Sequence, residues 1–93
     1  MATLHLEHRI TDFPTWKAAF DRFAPARNEA GVRRQRLWTQ ADDPHQIVVQ
    51  LDFDDADAAR AFLGFLQAKV WSTPENSPAL DGAPVGRILE SRS

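Results

Sequence analysis

The stretch His45-Gln46-Ile47-Val48-Val49-Gln50-Leu51-Asp52-Phe53 limits the possible folds more than any other part of the chain. Ile47, Val49, Leu51 and Phe53 recur at every second position, the interval at which a strand returns to one face. The other face carries Gln46, Val48, Gln50 and Asp52, which is polar without reading as ordinary solvent surface. A turn signal, Asp42-Asp43-Pro44, precedes the stretch, and a helix-start signal, Asp54-Asp55, follows it. This pattern predicts a strand set centrally in a two-layer domain.

The rest of the chain supplies partners for that strand. Thr3 to Ile10 alternates cleanly, with Leu4, Leu6, His8 and Ile10 on one side; His8 is the one polar member of that face. Asp12 can cap a helix with Pro14 in its first turn. Phe13, Trp16, Phe20, Phe23 and Arg27 then fall at helical spacing. Pro25 should kink this helix or end its regular part near Ala24, and Gly31 suits the position past its end. Val32 to Gln40 reads as a second strand with neither face wholly apolar. A hairpin joins it to the opening strand. A four-residue turn would pair Trp38 with Ile47, and a one-residue slip would instead pair Leu37 with Val49 and reverse every side chain. A second helix is expected from about Asp55 to Val70, with Ala59, Phe62, Leu63, Leu66 and Val70 on its core stripe. A long loop, Ser72 to Pro84, and a short strand, Val85 to Glu90, complete the chain.

The order strand, helix, strand, strand, helix, strand predicts an α+β ferredoxin-like βαββαβ domain. One antiparallel four-stranded sheet carries two helices on one face, and residues 1–93 form a single domain. The uncovered face, with Val48 and in some registers Ile88, would then meet a second copy.

Composition removes several function classes. The net charge is −2, so there is no basic excess to neutralise nucleic-acid phosphates. No cysteine is present, which excludes disulfides, thiolate catalysis and thiolate metal sites. The N-terminus is too polar for a secretory signal, and no apolar run approaches the ~20 residues that span a membrane. A cytoplasmic protein is expected, with no membrane or nucleic-acid partner. His5 and His8 are three apart on a strand and face opposite sides, so they cannot share a metal. The acidic run Asp52, Asp54, Asp55 and Asp57 sits at a helix start and reads as capping. No metal and no cofactor are expected.

Five segments resemble the antibiotic biosynthesis monooxygenase-like group of dimeric α/β-barrel proteins. They are Asp12-Phe13-Pro14-Thr15-Trp16-Lys17-Ala18-Ala19-Phe20-Asp21, Ala24-Pro25-Ala26-Arg27, Ala30-Gly31-Val32, Asp42-Asp43-Pro44 and Phe53 through Phe62. The resemblance spans roughly residues 4 to 70. It implies a homodimer whose two sheets face each other, and a cavity for a small hydrophobic ligand between each sheet and its helices. It further implies cofactor-independent oxygenation of an aromatic or polyketide-type substrate. The group's oxygenases often carry a tryptophan near the end of the third strand, where this chain has Phe53. They often carry a histidine late in the second helix, and none occurs here from Phe65 to Trp71. The chain has no tyrosine, so a tyrosine proton relay is impossible.

Under that implied chemistry His8 is the candidate base and Arg36 the candidate partner of the substrate anion. Trp38 and Phe53 are candidate walls, with Trp16, Phe20, Phe62 and Trp71 as further substrate contacts. Each has a plainer alternative. His8 can be a core histidine satisfied by one neighbour, Arg36 can pair with Asp52 or Glu7 across a dimer, and Trp71 can anchor the helix end. The aromatic stripe can be core alone. A non-catalytic ligand-binding or stress-response dimer is the alternative function. A cavity below the ~300 Å³ of ordinary ligand sites, filled by these aromatics, would favour a module used only for its interface.

Overall fold

The structure, a computed structural model, describes residues 1–92. The elements run β1 (Ala2–Ile10), α1 (Phe13–Arg22), α2 (Ala24–Ala30), β2 (Arg34–Gln40), β3 (Asp43–Phe53), α3 (Ala56–Phe65), a π-helical turn (Leu66–Val70) and β4 (Leu80–Glu90). The four strands form one antiparallel sheet in the order β2-β3-β1-β4, with the helices on one face. This is the ferredoxin-like α+β arrangement.

β3 is central, and its alternation is realised as expected. Ile47, Val49, Leu51 and Phe53 are all at most 2% exposed and meet Leu4, Leu6 and Ile10 of β1 under the helices. The predicted first helix is two. Asp12 caps α1, its Oδ2 accepting from the Thr15 amide at 2.8 Å. Pro25 has no N–H to continue the ladder, so the chain breaks at Phe23 and restarts as α2. Gly31 ends α2 at φ 91°, a left-handed conformation that glycine adopts without strain.

The hairpin takes the slipped register. Leu37 pairs with Val49, Trp38 with Val48, and Arg36 with Gln50. The ladder shifts after Thr39 so that Gln40 faces Asp43, leaving Pro44, which has no N–H to donate, outside the regular pairing. Arg36 and Trp38 therefore point away from the helices. β4 starts at Leu80 rather than Val85, which shortens the expected loop to residues 72–79. As an edge strand it tolerates Pro84. A bulge between the pairs Glu7–Val85 and Arg9–Asp81, with Gly82 at φ 92°, leaves His8 without a partner on β4. Ile88 lies opposite Leu4 on the covered face. Val85 and Leu89, opposite Glu7 and Thr3, occupy the open face.

Candidate functional site

A cavity of about 70 Å³ lies between the sheet and the helices. Its floor is Leu6, His8, Val49 and Leu51. Its roof comes from the α1 stripe, set by the Asp12 cap, and from Phe62 on α3. The π turn, closed by the Trp71 amide donating to the Leu66 carbonyl at 2.7 Å, brings Leu66, Val70 and Trp71 to the same wall. Asn76 and Ser77 of the loop border it. A larger hollow of about 330 Å³ between α2 and α3 is floored by alanines, and its one charged residue, Glu29, is exposed. That hollow offers no convergent polar groups, so the smaller cavity is the candidate site.

Two polar side chains reach this otherwise apolar space. His8 is 6% exposed, and neither ring nitrogen has a hydrogen-bond partner. Burial disfavours the imidazolium and lowers the His8 pKa from 6.5 to about 4, so the ring is neutral near pH 7. The alternative of a core histidine satisfied by a neighbour is not what the geometry shows. Arg27 is 5% exposed; its Nε donates to Gln35 Oε1 at 3.0 Å and its Nη1 to the Phe20 carbonyl at 2.7 Å. Desolvation lowers its pKa, against a smaller opposing effect of Asp21.

Aromatic rings join the two. The His8 and Trp16 centroids are 5.8 Å apart, and Trp16 stacks on Phe20 at 4.9 Å. The Arg27 guanidinium carbon lies 3.7 Å from the centroid of the Phe20 ring, a cation–π contact. One wall thus runs from a neutral imidazole to a guanidinium along two stacked rings.

Five of the residues expected to form the site meet here: His8, Trp16, Phe20, Phe62 and Trp71. Phe53 lies behind the wall, fully buried against Phe62 at 5.9 Å, and does not line the cavity. Arg36 and Trp38 are on the other face of the sheet. Arg36 makes a two-pronged ion pair with Asp52 at 3.0 and 2.9 Å and donates through Nε to Gln50 at 3.0 Å. Arg36 hydrogen bonds hold the Asp52 carboxyl below the usual carboxylate range, and a Thr3 hydroxyl adds a further donor at 2.7 Å. This pairing lies within one chain. Arg27 is the cavity residue that the sequence pattern left without a role. Its signal was a charged residue as the fifth member of a buried aromatic stripe, a place where an unpaired charge is rare. Among the described residues no group of three His, Cys, Asp or Glu side chains is arranged to hold a metal ion.

No family model matches the sequence, and no curated protein matches it. Solved structures do. SnoaB, a cofactor-independent oxygenase from Streptomyces nogalater, superposes with a TM-score of 0.72 at 22% identity over 99% of this chain and 93% of its own. An antibiotic biosynthesis monooxygenase matches over the whole of both chains with a TM-score of 0.69 at 9% identity. An uncharacterized NIPSNAP domain protein from Burkholderia xenovorans matches with a TM-score of 0.68 at 21% identity, over 100% of this chain and 96% of its own. At these identities the likeness is one of fold.

Proposed function

From the antibiotic biosynthesis monooxygenase-like fold of this chain, we propose that it works in the cytoplasm as a homodimeric, cofactor-independent monooxygenase-like protein on a small aromatic or polyketide-type substrate. The observation that carries this reading is the buried His8 ring, with both nitrogens unpartnered, in the wall of an apolar cavity. Such a ring can take the proton of a phenol or enol and leave an electron-rich anion to meet oxygen. As separated charges, transfer from a phenol to a group held near 4 is uphill by about 8 kcal/mol. That fits beneath the ~16 kcal/mol barrier of an enzyme turning over about ten times per second. The attraction between the anion, the imidazolium and Arg27 lowers it further. In this scheme Arg27 takes the anion-partner role, because Arg36 faces away from the cavity.

A second reading, a non-catalytic dimer used for its interface, is favoured by the cavity's size, which is below the ~300 Å³ of ordinary ligand sites. Its 70 Å³ is less than half of the ~150 Å³ cavity that accepts benzene in an engineered protein. A ring-sized substrate therefore requires the half-buried Phe20 and Trp71 to swing outward. Oxygen uptake with hydroquinone and anthrone-type substrates separates the readings. Uptake abolished in a folded His8→Leu variant supports the enzyme. Saturable binding with no uptake on any such substrate supports a ligand-binding protein, and neither uptake nor binding leaves the sheet interface as the functional part.

A further inference from the structure

We propose that the cavity is a receptor for a short monocarboxylate, with Arg27 holding the carboxylate head and the aromatic wall toward His8 holding the apolar tail. The inference rests on reading the cavity as a ligand site, and it names the class of molecule that enters.

Arg27 is a cation without a counter-ion. It is 95% buried by its 5% exposure, and no carboxylate among the described residues lies within ion-pair distance of it. Asp21 is the acidic residue that acts on it electrostatically, and Asp21 is already bound by Lys17 at 2.7 Å. Of the five guanidinium N–H groups, one goes to Gln35 and one to the Phe20 carbonyl. Three have no protein acceptor, including both on Nη2, which is not sealed from solvent, and a carboxylate oxygen is the acceptor that makes the strongest bond to them. The two bonds already made, with the stack on Phe20, fix the guanidinium plane in advance. Holding α2 to β2 and to the end of α1 accounts for those two bonds but not for the free donors.

The second polar group lies at the tail end of the wall. His8 is buried without a partner on either nitrogen, and it borders the same cavity. Its imidazole is neutral near pH 7, so it does not compete with the Arg27 guanidinium for the carboxylate, and the head goes to the Arg27 end of the wall. The volume sets the size. Scaled from the ~150 Å³ that holds the six carbons of benzene, 70 Å³ takes about three heavy atoms, so a carboxylate head fits and the two further carbons of propionate enter as Phe20 or Trp71 gives way.

Propionate and propionamide, which share shape and differ in charge, are the probes. Trp16 and Trp71 line the cavity while Trp38 is on the opposite face, so the Trp16 indole and His8 ring resonances report binding. Saturable shifts are expected with propionate, with propionamide binding about ten-fold more weakly or worse. Arg27→Met should abolish that preference, and Arg27→Lys should keep part of it. Equal affinity for the two probes, a preference that survives Arg27→Met, or no shift with either probe would overturn the proposal. The wild-type comparison decides by itself if Arg27→Met does not fold. Charge-selective binding without oxygen uptake on any substrate would leave this inference standing and remove the oxygenase reading.

Discussion

His8 carries a measurable consequence for stability whatever it does to a ligand. Its folded pKa is about 4 against 6.5 for the free side chain. The unfolded chain therefore takes up the proton first as pH falls. The contribution is fully present above pH 6.5, is lost between 6.5 and about 4, and is constant below that. Its size is about 3 kcal/mol from the difference between the two values. Among the described residues, Arg27 is the other ionic side chain lining the cavity, and it stays charged throughout. Urea unfolding followed across this range should show the loss in the wild type. His8→Leu, which removes two unpartnered nitrogens and keeps the bulk, should flatten the profile. It should also match or exceed wild-type stability at pH 7, by about 1 kcal/mol. A wild-type profile without slope between pH 6.5 and 4 would mean that the ring reaches water. The alternation of Leu4, Leu6, His8 and Ile10 placed His8 on the covered face correctly. What the pattern could not show was that no neighbour would satisfy it, because the bulge opposite it belongs to a strand segment that the sequence hides.

That segment is the clearest case of an element illegible in sequence. Pro78, Gly82 and Pro84 are loop-forming residues by any local rule, yet Leu80 and Asp81 pair with Ile10 and Arg9 of β1, the bulge carries 82–84 out of the ladder, and an edge strand needs only one ladder. The π turn was equally hidden, since Leu63, Leu66 and Val70 keep a helical interval whether the turn is regular or widened. The α1 stripe, the Pro25 break and the Gly31 end were legible because each depends on one residue's own backbone chemistry. The face of Arg36 and Trp38 was not, because β2 has no wholly apolar side and a one-residue slip decided it. β4 also packs closely against α3 at Gly86. A β-carbon added at Gly86 would lie 3.0 Å from Leu63 Cδ1 and 3.3 Å from Leu6 Cδ2. Gly86→Val should therefore force Leu63 out of place and destabilise by about 1–3 kcal/mol, read as a lower urea midpoint with an unchanged slope. An unaltered midpoint would mean that the α3–β4 seam is loose.

For the whole molecule, the uncovered sheet face has the character of an interface. Trp38, Val85 and Leu89 are 55%, 49% and 45% exposed, and all three stand on it. Between them runs a polar network. Asp52 is held by Arg36 and Thr3, Arg36 reaches Gln50, Gln50 contacts His5 at 3.1 Å, and His5 approaches Glu7 at 3.5 Å. The bonds from Arg36 to Asp52 and Gln50 are made within one chain and survive covering, whereas Arg87, opposite His5 on the same face, would need an acceptor from the partner. If a second copy covers this face, the exposed apolar groups beside the network would supply its driving force. Sedimentation equilibrium should accordingly give twice the 10.5 kDa chain mass. Trp38→Glu places a carboxylate in that contact and should weaken association by at least 2 kcal/mol, about thirty-fold. Because Trp38 does not line the cavity, the His8 and Trp16 resonances of the dissociated variant should stay where they are. A wild-type protein that sediments at the mass of one chain, or a Trp38→Glu variant that associates as tightly as the wild type, would show that this face does not meet its own copy. A dissociated variant that loses the cavity signals would instead show that the cavity is shaped by the partner sheet.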